Sequence, residues 1–167
     1  MENDIDKITE TIFLGNMEAA FNKKKLKKLG IKKVLTVMSA FGNHYSSNEF
    51  KHKSIEIEDD FRTNIICHFK ECFSFIEGNE KVFVHCAAGM SRSPTVAIAY
   101  IMWKKKLRLN EAINFVKTKR PLISPNDNFM NQLKIFEELL IKNEFNIDNI
   151  NFKKIKVNYS DNNCKIF

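Results

Sequence analysis

Apolar residues recur along this chain with two different spacings, and the changes from one to the other outline its elements. Short runs with few charges read as buried strands: Ile8 to Leu14, closed by Gly15-Asn16, then Val34 to Met38, the alternation at Ile55 and Ile57, and Lys81-Val82-Phe83-Val84. Between them the apolar positions fall three and four apart. One helix is predicted from Met17, with Phe21, Leu26 and Leu29 inward, Lys23, Lys24, Lys25, Lys27 and Lys28 outward, and Gly30 as its C-cap. Another follows Asp59-Asp60, carries Phe61, Ile65, Phe69, Cys72, Phe73 and Ile76, and stops at Gly78-Asn79. A long apolar helix runs from Ser91 through Trp103. Asn110 is read as the cap of a short helix from Glu111 to Lys119, which Pro121 ends. Ser124-Pro125 is read as the cap and first position of a last helix with Phe129, Leu133, Phe136, Leu139 and Leu140 on one side. The stretch Ser39 to Asn48 is a loop.

Strands separated by helices imply an α/β fold, a mainly parallel central sheet flanked by helices on both faces. The 167 residues suit one domain, expected at 1–145, and the Asn- and Lys-rich stretch 146–167 reads as a basic extension. A formal net charge of +7 favours acidic partners, phosphorylated substrates and anionic lipid among them. The lysines are spread out and lack interleaved aromatics, so nucleic acid is not an expected partner. Cys67, Cys72, Cys86 and Cys164 form neither a disulfide framework nor a metal pattern, which suits a reducing cytoplasmic or nuclear setting. The first residues, Met1-Glu2-Asn3-Asp4, offer no signal-peptide core and no glycine for myristoylation. The last four, Cys164-Lys165-Ile166-Phe167, are compatible with prenylation of Cys164, with Lys153, Lys154 and Lys156 adding attraction to a membrane surface. Lys165 is not aliphatic, and a plain tail is the equal alternative.

The chemistry concentrates in His85-Cys86-Ala87-Ala88-Gly89-Met90-Ser91-Arg92-Ser93, between a strand and a helix. A loop so placed turns successive backbone N–H groups, here those of Ala87 to Arg92, toward one point at the positive end of the helix dipole, a seat for a phosphate dianion. The same groups favour the thiolate of Cys86. Gly89 lets the backbone turn inward, and the Arg92 guanidinium grips two phosphate oxygens. Phosphoryl transfer to a thiolate also needs a proton donor for the departing oxygen. Ile55-Glu56-Ile57-Glu58-Asp59-Asp60 puts acids after a strand expected to lie beside the strand of the loop. Asp59 is the first choice and Asp60 the reserve, while either could instead cap the following helix. Partial burial and a neighbouring carboxylate are expected to favour the protonated acid. Ser93 is placed to donate a hydrogen bond to the Cys86 sulfur or to cap the helix. His85 is expected to fix the loop, pointing away from Cys86. His44, His52 and His68 lack metal-ligand spacing, and neither metal nor cofactor is expected.

The motif His85-Cys86-x-x-Gly89-x-Ser91-Arg92-Ser93 resembles the active-site signature of the dual-specificity protein phosphatases, within the cysteine-dependent protein tyrosine phosphatase superfamily. The resemblance runs roughly from Ile8 to Leu140, through Ile12-Phe13-Leu14-Gly15, Leu29 to Leu35, Ile55 to Asp59, Ala99 to Met102, Ala112 to Val116 and Arg120 to Leu133. It implies a cysteinyl-phosphate mechanism without metal, in which Asp59 protonates the leaving group and then activates water. It also implies that Asn126 helps hold the phosphate loop. Asn128 stands where many members carry Gly; because Asn tolerates left-handed backbone, little harm is expected. With no N-terminal docking domain in this sequence, the likeness is to the small atypical members. The implied substrates are proteins phosphorylated on tyrosine, serine or threonine, and small Ala87 and Ala88 suit a shallow cleft. Three other readings stand beside this one. A phosphoinositide or RNA 5′-phosphatase fits poorly with a loop that has Ala87, Ala88 and Met90 and no lysine. A non-catalytic phospho-binding scaffold would use the cradle without turnover. A sulfur-transfer domain needs neither Asp59 nor the Arg92-Ser93 pair.

Overall fold

Parallel pairing builds the centre of the molecule. The structure, a computed structural model, describes residues 4–42 and 44–157. Its strands are β1 (Ile5–Lys7), β2 (Ile12–Gly15), β3 (Lys33–Val37), β4 (Lys51–Ile55) and β5 (Val82–His85). They form one sheet in the order β1-β2-β5-β3-β4, in which only the β1–β2 pair is antiparallel. The helices are α1 (Met17–Phe21), α2 (Lys23–Lys28), α3 (Phe69–Ile76), α4 (Arg92–Lys105), α5 (Leu109–Lys117) and α6 (Asp127–Lys142). The expected α/β architecture, a mainly parallel sheet flanked by helices, is the one observed.

Strand alternation decides which helices each face receives. Ile12, Leu14, Leu35, Val82 and Val84 point to the side of α3–α6, where Phe69, Phe73, Phe129 and Phe136 fill the larger core. Phe13, Val34 and Phe83 point the other way, against Ala19, Ala20 and Leu26 of α1 and α2. Each large apolar side chain so buried contributes about 1.5–3 kcal/mol.

Several boundaries differ from the pattern, each for a local polar reason. The expected strand Ile8 to Leu14 begins as a hairpin turn, and only its part from Ile12 is strand, β2. Thr9 Oγ1 accepts from the N–H groups of Thr11 and Ile12, and this turn separates β1 from β2. The lysine-rich helix is two helices, because Asn22 leaves helical geometry and its side chain caps α2 through the Lys25 N–H. Past Asp60 the chain turns instead of starting a helix. Phe61 is 69% exposed there, and α3 begins only at Phe69, after a 3-10 turn at Ile66–His68. Arg108, not Asn110, is the N-cap of α5, with the Glu111 carboxylate accepting the Arg108 N–H at 2.8 Å. Asn126, not Ser124, caps α6 by accepting the Phe129 N–H at 2.9 Å. The acid-bearing strand does not adjoin the strand of the loop: β4 is an edge strand, β3 lies between it and β5, and Ile57 follows its end.

The packed unit also runs past residue 145. Ile147, Ile150, Phe152, Ile155 and Val157 are buried in the larger core, and Ile155 O accepts from Asn64 Nδ2 at 2.8 Å. Cys164 lies outside the described residues. Among those described, no helix is long and apolar enough to cross a membrane.

Candidate active site

The loop Cys86–Ser91 leaves β5 and enters α4, and its backbone is fixed from outside. Ala87 O accepts from Met17 N–H at 3.0 Å, Met90 O from Ser124 N–H at 2.7 Å, and Gly89 O from Arg120 Nε at 2.9 Å. Because C=O and N–H of one peptide point in opposite directions, carbonyls tied outward leave amides turned inward. Among the described residues, no protein group accepts the N–H of Ala87, Ala88, Gly89 or Met90. Gly89 is required where it stands. Its φ is +66°, and a Cβ there would come within 2.5 Å of Gly15 O.

Cys86 is buried at the base of this loop, with Ser93 Oγ donating to its Sγ at 3.1 Å from the first turn of α4. Arg92 Nη1 donates to Ile57 O at 3.2 Å, and its Nε lies 3.6 Å from Asp59 Oδ2, close enough for attraction but too far for a hydrogen bond. That Nε is buried and has no hydrogen-bond partner among the described residues. Asp59 Oδ1 accepts from Ser91 Oγ and from Asn126 Nδ2, both at 2.8 Å. Ser91 Oγ in turn accepts the Asn126 N–H at 3.2 Å. The fold thus brings Cys86, Ser91, Arg92, Ser93, Asp59 and Asn126 into one cluster, although the strand carrying Asp59 is two places away from β5.

Asp60 faces elsewhere. Its Oδ1 accepts from the N–H groups of Arg62 and Thr63 at 2.9 and 2.7 Å, and these bonds hold its carboxyl below the usual carboxylate range. Its carbonyl is held too, by Asn126 Nδ2 and by Asn128 Nδ2 at 3.2 Å. Asn128 also donates to Thr63 O, and Gln132 Nε2 donates to Thr63 O and to Asn128 Oδ1. Left-handed backbone is therefore not what makes asparagine suitable at 128: the residue is helical, and its amide splints the turn that presents Asp59.

His85 lies on the opposite side of the sheet from Ser93, its ring 5.4 Å from that of Phe83 and 4.7 Å from that of Phe41. Burial pushes its pKa down to about 3, so the imidazole is neutral. Its Nε2 lies 2.8 Å from Thr36 Oγ1. Sequence reasoning passed over Thr36, Gln132 and Arg120 as parts of the site. Arg120 is only 1% exposed, bonds Gly89 O, and pairs with Asp6 Oδ2 at 2.6 Å. The one hint was that Arg120 opens the stretch, Arg120 to Leu133, that carries part of the resemblance. No group of His, Cys, Asp and Glu among the described residues could hold a metal ion.

Comparison with known proteins agrees with this geometry. The family model for the dual specificity phosphatase catalytic domain matches residues 12–139. Dual specificity protein phosphatase 1-B of Xenopus laevis is 40% identical over 134 residues, which cover 78% of this chain and 36% of that protein. Human dual specificity protein phosphatase 4 is also 40% identical, over 78% of this chain and 34% of that one, so the chain spans about a third of the length of these curated relatives. The crystal structure of the human tyrosine phosphatase-like serine/threonine/tyrosine-interacting protein aligns with a TM-score of 0.76 and 31% identity, covering 82% of this chain and 97% of that one. Human DUSP28, at 24% identity and a TM-score of 0.78 over 84% of this chain and 97% of that one, shares the fold. Since the family model takes in everything from β2 to the end of α6 but a few residues, this chain belongs to the dual specificity phosphatase catalytic-domain family.

Proposed function

We propose that the chain is a protein phosphatase that hydrolyses phosphotyrosine and phosphoserine or phosphothreonine through a cysteinyl-phosphate intermediate. The phosphate sits against the inward amides of Ala87 to Met90, and the Arg92 guanidinium, with its unclaimed Nε, takes the remaining oxygens. Cys86 Sγ attacks phosphorus; the S–P bond forms as the P–O bond to the substrate breaks, and Asp59 gives its proton to the departing oxygen. Asp59, now a carboxylate, takes a proton from water as that water attacks phosphorus. The S–P bond breaks, and the Ser93 hydroxyl donates to the leaving thiolate. Phosphorylated proteins are the partners this reading requires.

One observation carries the assignment of the acid: Asp59, not Asp60, is tied to the phosphate loop through Ser91 and lies beside Arg92. Hydrolysis of an aryl phosphate and of phosphopeptides by the full chain tests the reading. Cys86→Ser is expected to abolish turnover. Asp59→Asn should slow phosphoserine and phosphothreonine peptides by roughly 10²–10⁴-fold and activated aryl phosphates much less. Turnover surviving Cys86→Ser would overturn the mechanism. A loss seen with Asp60→Ala but not with Asp59→Asn would overturn the choice of acid.

A further inference from the structure

The stretch 147–157 lies beyond the residues that the family model matches, yet it reaches back to the turn that carries the acid. Asn64, the residue after Thr63, donates from Nδ2 to Ile155 O at 2.8 Å. Its Oδ1 is buried and has no hydrogen-bond partner among the described residues, so the amide serves here as a donor. The Asn64 carbonyl accepts from Cys67 Sγ at 3.0 Å, which ties the same residue to the 3-10 turn before α3. Ile155 is firmly seated: Ile150, Phe152 and Ile155 are buried, and the Phe152 ring lies 6.1 Å from that of Phe136 on α6. Elsewhere the stretch stands off from the domain. A surface cavity of about 800 Å³, lined by Cys67, Lys70, Ser74, Asn149 and Phe152 among others, opens between it and α3, spanned by the Lys70–Asp148 ion pair at 2.9 Å.

The acid turn is thus held by two elements. From α6 and its cap, Asn126 and Asn128 bond Asp60 O, Asn128 and Gln132 bond Thr63 O, and Gln132 Oε1 takes the Ile66 N–H at 3.0 Å. Asn64 lies between these points, and its side chain goes not to α6 but to the stretch 147–155. That stretch also packs on α6 through Phe152, so it ties the splinting helix to the exit of the turn. Thr63, next to Asn64, gives its N–H to Asp60 Oδ1 at 2.7 Å, and Asp60 adjoins Asp59. The line from Ile155 to Asp59 therefore runs through a hydrogen bond or a peptide link at every step. A general acid works only within hydrogen-bond reach of the departing oxygen, and a displacement of about 1 Å can cost about 10²-fold in rate.

We propose that the stretch 147–155 positions the general acid, with Asn64 as the positioning residue: the bond from Asn64 to Ile155 fixes the turn so that Asp59 stays over the phosphate loop. The proposal rests on Asp59 being the acid. The test is kcat/KM of the full chain on a phosphoserine peptide and on nitrophenyl phosphate. This constant reports the steps up to departure of the leaving group, where a serine alkoxide needs a proton and a nitrophenolate does not. Asn64→Leu, which keeps the size of the side chain and removes its donor, should lower the constant about tenfold for the peptide and leave it within about twofold for nitrophenyl phosphate. Loss of folded protein would lower both alike. Ile155→Ala, which loosens the accepting carbonyl, should act in the same direction by less. Combined with Asp59→Asn, Asn64→Leu should slow the peptide no further. An unchanged ratio between the two substrates in folded Asn64→Leu, or a further loss of about tenfold on top of Asp59→Asn, would overturn the proposal. Should Asn64→Leu fail to fold, the ratio in Ile155→Ala decides. Failure of the phosphatase reading would appear separately, as a wild-type chain that does not turn over nitrophenyl phosphate, and failure of the choice of acid as an Asp59→Asn chain that keeps its activity on the peptide; either would take the proposal with it.

Discussion

His85 is neutral inside the fold and ordinary outside it, and that difference makes stability depend on pH. An unfolded histidine titrates near pH 6.5, whereas burial takes His85 to about 3. Between those values the unfolded chain binds a proton that the folded chain refuses, so stability falls as pH falls through this window. Half-buried His52, lowered by desolvation, acts in the same sense. From pH 7 to pH 5 the expected loss at His85 is on the order of 2 kcal/mol. Urea unfolding at the two pH values measures it, and His85→Gln should flatten the dependence; an equal slope in the variant would refute the assignment. At this scale the sequence was legible where the residues are contiguous. Cys86, Gly89, Arg92 and Ser93 share one loop, and their order states their chemistry. Thr36 and Arg120 join the site through pairings between distant segments, which spacing along the chain does not encode.

The elements around the loop act as clamps. Gly89 is pressed against the end of β2, and Gly89→Ala would add both an unfavourable left-handed residue, about 1–2 kcal/mol, and a contact that forces loop or strand to move. Turnover of an aryl phosphate is expected to fall at least about tenfold while the melting temperature drops by only a few degrees; unimpaired turnover would show that the loop tolerates the shift. The acid turn is an element of another kind, splinted by Asn126, Asn128 and Gln132 from α6. Hydrophobic spacing placed Phe61 at the start of a helix there, but the Asp60 side chain claims the amides of Arg62 and Thr63 and ends that possibility. Asn22 split the lysine-rich helix by the same competition between side chain and backbone. Strand neighbours escape the pattern for a different reason: order in a sheet is a property of crossovers, and no local pattern announces that β3 separates β4 from β5.

For the molecule as a whole, composition misled where spacing would have served. Residues 146–157 are rich in Asn and Lys, yet Ile147, Ile150, Phe152, Ile155 and Val157 recur among them and close the larger core. Phe152 stands 6.1 Å from Phe136, centre to centre. Phe152→Ala is expected to cost about 3–5 kcal/mol, measured by denaturant unfolding; a loss under about 1 kcal/mol would mean that this stretch is only laid on the surface. The sheet class and flanking helices were legible because each apolar run is long enough to bury one face. The way the loop is clamped also says which substitutions the chain can absorb. Two of its carbonyls are held by the main-chain amides of Met17 and Ser124, so the side chains there are free to vary without touching the phosphate seat. Proline is the exception. The first position of a helix ordinarily welcomes it, but at 17 it would remove the one hydrogen that Ala87 depends on.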